Sequence, residues 1–177
     1  MKPIFMIGYM ASGKTTLGRA LAREMGLQFI DMDFFIEQRF HASVSSLFAN
    51  RGEEWFRRIE GNVLREIGEM ENVIISCGGG TPCFGDNMEF MNSRGTTIWI
   101  DTTIDCIVRR LTVAKVRRPL AEGKNKDELK EYVTAHLATR LPFYRQAAIP
   151  FQGDELEDRR QIADSVARLL PLLEFDK

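Results

Sequence analysis

The sequence predicts an α/β fold in three layers, α/β/α, around a central five-stranded parallel sheet. Three observations carry that expectation. Five short apolar runs are spread along the chain, at Ile4–Ile7, Gln28–Asp31, Val73–Cys77, Thr96–Ile100 and Ala148–Phe151. Segments of helical period fill the gaps between them. The 177 residues show no repeat, low-complexity tract or linker, and suit a single domain over 1–177 with a sizeable core. Strands that alternate with helices imply a parallel sheet covered on both faces, with its sites beyond the carboxyl ends of the strands.

The first run leads straight into Gly8-Tyr-Met-Ala-Ser-Gly-Lys-Thr15, which fits the pattern G-x-x-x-x-G-K-S/T in full. A helical stripe of Leu17, Ala20, Leu21 and Met25 follows, and Gly26 suits its C-cap. Strand, glycine-rich loop and helix are the context this motif requires. Backbone N–H groups of such a loop form an anion nest, and the helix adds the positive end of its dipole. Lys14 can reach the β- and γ-phosphates of a nucleoside triphosphate, and the Thr15 hydroxyl can ligate Mg²⁺. Met10, Ala11, Ser12, Gly13 and Thr16 complete the nucleotide-binding stretch.

The second run ends in Asp31-Met32-Asp33. Alternation along extended backbone lets both carboxylates point the same way. One could hold Mg²⁺ through water while the other takes a hydroxyl proton, or the pair could cap the next helix. Before the third run, Gly52-Glu-Glu-Trp-Phe-Arg57-Arg-Ile-Glu60 places Glu53, Arg57 and Glu60 three and four residues apart. Either this is a solvated helix with salt-bridge support, or Arg57 faces a site, oriented by Glu60 and flanked by Phe56. After the third run comes Cys77-Gly78-Gly79-Gly80-Thr81-Pro82, where bare backbone N–H groups could grip a substrate. Cys77 reads as a small buried residue.

Ile104, Ile107, Val108 and Leu111 form the next stripe, and Leu129, Val133 and Leu137 another. Between them, Thr112–Lys126 is charged and poorly periodic, so it reads as a surface loop or as a lid that closes over phosphates. Arg140-Leu141-Pro142-Phe143-Tyr144 should end its helix at the proline. Arg140 there could pair with an anion or simply favour a helix C-terminus. Ile162, Val166, Leu169, Leu170 and Leu173 mark a last helix. His41 and His136 have no metal spacing and read as surface or structural.

A net charge of −1 gives no basis for nucleic-acid or membrane binding. Three cysteines without paired spacing fit a reducing compartment, and no apolar stretch approaches a signal peptide or a membrane span. A cytoplasmic protein is expected.

Taken together, the loop at 8–15, Asp31-Met-Asp33, Phe56-Arg57-x-x-Glu60, Gly78-Gly-Gly80, Arg118-Pro-Leu120 and Arg140-Leu-Pro-Phe-Tyr144 resemble the shikimate kinases, within the nucleoside-monophosphate-kinase-like P-loop family. The resemblance covers most of the chain, and it rests on the order and spacing of the set rather than on the phosphate loop, which many families share. It implies a P-loop kinase fold with a substrate-binding helical segment at about 33–62 and a mobile lid at about 112–126. It implies ATP- and Mg²⁺-dependent phosphorylation of the 3-hydroxyl of shikimate, toward chorismate and the aromatic amino acids. By the same resemblance Asp33 binds the acceptor hydroxyls and acts as base. Arg57 and Arg140 hold the acceptor carboxylate, Glu60 orients Arg57, and Gly79 gives a backbone contact. Phe48 and Phe56 wall the acceptor pocket. Lys14 and the lid residue Arg118, with Arg117 beside it, act on the phosphates. Arg110 stacks on adenine, an adenine-binding loop follows the last strand near 151–158, and Thr15 and Asp31 serve the metal. A monomer is expected.

Two other readings compete. Gluconate or nucleotide kinases share such a fold, but the Phe-Arg-x-x-Glu and triple-glycine set favours shikimate. A GTP-dependent switch would need Asp-x-x-Gly, which is absent, and Asn-Lys-x-Asp, of which Asn125-Lys126-Asp127-Glu128 is an imperfect match.

Overall fold

The computed structural model describes residues 1–113 and 125–173. Its five strands are β1 (Ile4–Ile7), β2 (Gln28–Asp31), β3 (Val73–Ser76), β4 (Thr96–Asp101) and β5 (Ile149–Gln152). They form one sheet in the order β2-β3-β1-β4-β5, and every neighbouring pair is parallel. Helix α1 (Lys14–Met25) links β1 to β2. Helices α2 (Met32–Phe40), α3 (Val44–Arg51) and α4 (Glu53–Gly68) link β2 to β3. After β3, a single 3-10 turn at Thr81–Cys83 and helix α5 (Asn87–Arg94) lead to β4. Helices α6 (Ile104–Val113) and α7 (Lys126–Tyr144) precede β5, and α8 (Arg159–Leu173) follows it.

Period-two alternation sorts the core into two layers. Ile4 and Met6 join Leu17 and Leu21 of α1 and Leu169 and Leu173 of α8 on one face. Phe5 and Ile7 join Val63 and Ile67 of α4, Ile107 of α6 and Val133 of α7 on the other. Every residue of β1 and β3 is buried, as central parallel strands require. The edge strand β5 tolerates Pro150, which lacks an N–H to donate, because only β4 lies beside it.

Several element ends differ from the sequence expectation. Helix α7 passes through Pro142 to Tyr144. Pro142 sits in the last turn, so the one interior bond it removes costs less there than in mid-helix. Thr112 and Val113 belong to α6, and Asn125 caps α7, which trims the expected lid from both sides. The remainder, 114–124, with Lys115, Arg117, Arg118, Pro119, Gly123 and Lys124, lies outside the described residues. The Asn-Lys-x-Asp look-alike is a capping box: Asn125 Oδ1 accepts from the N–H groups of Asp127 and Glu128, both at 3.0 Å, and Glu128 Oε2 accepts from Asn125 N–H at 2.8 Å.

No helix among the described residues is long and apolar enough to cross a membrane. From β1, the chain turns toward β2 on one side and reaches β4 on the other only after β3. The order reverses about β1, so a crevice opens beyond its carboxyl end.

Candidate active site

The phosphate loop leaves β1 at that crevice. Gly8 has φ +140° and an added Cβ there would stand 2.8 Å from the Ile100 carbonyl oxygen, so only glycine serves. Gly13 has φ +103° and opens α1. Lys14 is buried, and its Nζ donates to the carbonyls of Gly8 at 2.9 Å and Tyr9 at 2.7 Å, folding back along its own loop. Thr15 Oγ1 donates to Asp31 Oδ2 at 2.9 Å and lies 3.4 Å from Ser76 Oγ. The other Asp31 oxygen caps α2, accepting from Phe34 N–H at 3.3 Å. The helix-cap reading of Asp31 is thus seen in one oxygen, while the other faces Thr15.

Met10, Ala11, Gly13, Lys14, Thr15 and Thr16 line a cavity of about 450 Å³ together with Asp31, Asp33 and Arg110. Ser12 stands behind it, buried, with its N–H turned to the Tyr9 carbonyl at 3.2 Å. Arg110 is clamped between two loops. Its guanidinium donates to the carbonyls of Ala11 and Ser12, to those of Gly153 and Asp154, and to Glu157 at 2.9 Å. The segment after β5 is therefore tied to the phosphate loop, and its Leu156 and Glu157 enter the cavity wall.

A second cavity of about 870 Å³ adjoins the first. Its walls include Asp33, Phe48, Phe56, Arg57, Glu60, Gly79 and Arg140, all seven residues that the sequence assigns to the acceptor. Met10, Asp33 and Gly79 border both cavities. Lys14 and Asp31 stand on one side of that boundary, and Arg57 and Arg140 on the other.

Asp33 is exposed to the shared space yet surrounded by protein on its other sides. Its pKa is pushed up to about 6, first by loss of bulk water, then by the Asp31 and Glu60 carboxylates, while Lys14 pulls it down. Water in the open cavity reaches the carboxylate and moderates the burial effect.

Arg57 forms both ion pairs that its spacing allowed. Its Nη1 donates to Glu60 Oε2 at 2.8 Å, and its Nε and Nη2 donate to Glu53 Oε1 at 3.3 Å. The Glu53 bonds are long and lie near the surface, whereas Glu60 is 1% exposed. Glu60 is therefore the partner that orients Arg57. Its second oxygen accepts from Thr81 Oγ1 at 2.7 Å. The guanidinium also stands 4.0 Å from the ring centre of Phe84, 5.3 Å from Phe48 and 5.6 Å from Phe56. The salt bridges of the solvated-helix reading are present, and the same residue lines the larger cavity.

Each glycine of the triple faces an ionic side chain. A Cβ on Gly78 would stand 2.9 Å from Asp33 Oδ1 and 3.0 Å from Glu60 Oε1. On Gly79 it would stand 3.0 Å from Arg140 Nη1, and on Gly80 2.7 Å from Arg57 Nη1. The absence of three side chains makes room for two carboxylates and two guanidinium groups. Cys77, at the end of β3, is buried with its thiol pushed well above the usual range, as an inert small residue should be.

Thr81, Phe84, Tyr9 and His136 were not assigned to the site from the sequence. Phe84 gave no signal, and Thr81 only its place beside the glycines. His136, read as surface or structural, stands in the wall of the larger cavity. A four-residue spacing of Tyr132, His136, Arg140 and Tyr144 could have found it. His41 ends α2 in the left-handed region, at φ +49°.

Comparisons with known proteins point to one family. The family model described as shikimate kinase matches residues 10–171. A shikimate kinase of Bacteroides thetaiotaomicron is 53% identical over 175 residues, covering 99% of this chain and all of that protein. The crystal structure of shikimate kinase from Bacteroides thetaiotaomicron superposes with a TM-score of 0.96 and covers 98% of each chain. That of Acinetobacter baumannii shikimate kinase, in complex with shikimate, superposes with a TM-score of 0.83 at 29% identity, covering all of this chain and 95% of its own.

Proposed function

This chain belongs to the shikimate kinase family and phosphorylates shikimate with ATP in the shikimate pathway; from that premise we propose how its own residues carry the reaction. The observation that supports the reading best is the boundary of the two cavities, where Asp33 stands between a phosphate loop and a pair of arginines. ATP enters the smaller cavity with its phosphates on the loop and Lys14. Binding there draws Lys14 Nζ from the Gly8 and Tyr9 carbonyls toward phosphate oxygens. Arg110 and the segment after β5 receive the adenosine end. Shikimate enters the larger cavity with its carboxylate between Arg57 and Arg140 and its ring against Phe48 and Phe56.

The acceptor atom is the 3-hydroxyl oxygen. It attacks the γ-phosphorus in line with the bond to the β-bridging oxygen. That bond breaks with its electron pair leaving on ADP, and the hydroxyl proton passes to Asp33. A carboxylate of pKa about 6 is ionised at neutral pH yet basic enough to share that proton. The Gly79 backbone and Asp33 orient the hydroxyl, and fixed cations receive the charge, so positioning and electrostatics supply most of the acceleration.

The donor set at Thr15 and Asp31 suits Mg²⁺, a hard cation that takes oxygen ligands and keeps several waters. Thr15 Oγ1 would bind it directly and Asp31 through water. When bound, Mg²⁺ neutralises charge on the β- and γ-phosphates. Arg118, whose part rests on the sequence resemblance, adds a further cation to the transferred group. The protein acts as a single-domain monomer in the cytoplasm.

ADP release tests the assignment, with shikimate, gluconate and a nucleoside monophosphate as parallel acceptors. Shikimate alone should stimulate release, chelation of Mg²⁺ should stop it, and the phosphoryl group should be found on the 3-oxygen. Equal stimulation by gluconate, or phosphate on another oxygen, refutes the acceptor geometry.

A further inference from the structure

We propose that His136 is a positioning residue for the acceptor: through Tyr9 it holds Arg140 where that arginine meets the acceptor carboxylate. The inference rests on the reading above, that Arg140 binds this carboxylate.

The two arginines of the larger cavity are held in different ways. Arg57 is tied to Glu60 and Glu53. Among the described residues, no ion pair holds Arg140. Its guanidinium lies 5.4 Å from the ring centre of Tyr9. The Tyr9 ring is thus a platform for Arg140. An aromatic face attracts a guanidinium without neutralising it, so the charge of Arg140 stays available to an incoming anion.

The platform itself needs anchoring. Tyr9 belongs to the phosphate loop, and its ring is 1% exposed. Its hydroxyl shares a 2.9 Å hydrogen bond with His136 Nδ1, and the two rings meet edge to face at 5.6 Å. His136 lies one helical turn before Arg140 on α7, on the same face. It is backed by Tyr132, with ring centres 5.3 Å apart. The α7 stripe therefore carries Arg140 and also fixes the surface on which Arg140 rests. Burial first, and Arg140 second, lower the pKa of His136, while burial pushes the Tyr9 phenol up to about 12. The bond therefore joins two neutral groups at neutral pH.

Tyr9→Phe, His136→Leu and His136→Asn provide the test, with Arg140→Ala as the reference. Asparagine carries a donor and an acceptor near the position of Nδ1 and can renew the bond to Tyr9; leucine cannot. A neutral hydrogen bond of ordinary strength sets the expected loss. Tyr9→Phe and His136→Leu should each raise the KM for shikimate roughly three- to tenfold, with kcat and the KM for ATP changed by less than about twofold. The double variant should be no worse than either single, since both remove one bond. His136→Asn should recover most of the loss. A wild-type KM for shikimate in Tyr9→Phe overturns the inference. So does a parallel loss in both KM values and melting temperature, or a failure of asparagine to rescue where leucine impairs. If Arg140→Ala leaves the shikimate KM unchanged, the reading of Arg140 itself falls and takes the inference with it. If Arg140→Ala raises it while the Tyr9 and His136 variants do not, only the inference falls.

Discussion

Replacing Glu60 by glutamine should alter catalysis in two separable ways. The side chain keeps its size, so cavity and packing terms are small, but the charge is removed. Glu60 Oε2 takes a 2.8 Å bond from Arg57, a charge-assisted contact worth about 1.5–3 kcal/mol. A neutral amide returns about half of that, and Glu53 with the three aromatic rings still restrains Arg57. The net loss of about 1–1.5 kcal/mol should raise the shikimate KM roughly five- to tenfold. The second effect is on Asp33. Its Oδ1 and Glu60 Oε1 lie 2.9 and 3.0 Å from one point, the Cβ position of Gly78, which bounds their separation at about 6 Å. Two unit charges at about 6 Å interact by about 0.7 kcal/mol in water and about 2.8 kcal/mol at an effective dielectric constant of about 20. The Glu60 charge raises the Asp33 pKa, so its removal lowers it. The ionised base is lost as pH falls through about 6 in the native protein, and that acid limb of kcat/KM should move down by about half to two pH units. The assay is ADP release from about pH 4.5 to about pH 8.5, with shikimate varied at each pH. A limb that stays in place while KM rises would refute the electrostatic link between the two carboxylates. A native profile without a limb near pH 6 would remove Asp33 as the base.

Asp33→Asn should lower kcat by about a hundred- to ten-thousandfold while ATP still binds, as followed by nucleotide titration. Its melting temperature at neutral pH should hold or rise. An acid whose folded pKa of about 6 exceeds its unfolded value is destabilising once ionised above that pH, and not below its unfolded pKa. A clear drop in melting temperature refutes this. Gly80→Ala should raise the shikimate KM about tenfold without changing the KM for ATP. Its backbone, at φ −88°, accepts any residue, but the new Cβ would stand 2.7 Å from Arg57 Nη1 and displace that guanidinium. Unchanged acceptor kinetics would show that Arg57 need not hold its place.

Most of the candidate site was legible in the sequence because its signals are local. The phosphate loop, the Asp31–Asp33 pair and the Arg57–Glu60 spacing each lie within one short segment. Their meaning follows from helix and strand periods alone. Thr81 and Phe84 were illegible for the opposite reason. They act on α4 from a turn more than twenty residues away, and neither residue type announces a partner. Pro142 misled because a proline stops a helix according to how many turns follow it, which depends on what the helix packs against. His136 was passed over because a histidine without metal spacing looks inert until its neighbour is known to be Tyr9.

The sequence by itself determined the five strands, their alternation with helices, the phosphate loop and the identities of the ionic groups. Each of these depends on residues a few positions apart. Only the tertiary structure decided that Asp33 from the start of α2, Arg57 and Glu60 from α4, the glycines after β3 and Arg140 from α7 share one cavity. That convergence follows from the strand order β2-β3-β1-β4-β5, which sets the carboxyl ends of β1, β2 and β3 side by side. Strand order is settled by burial of both sheet faces across the whole chain, a long-range balance that no single segment encodes.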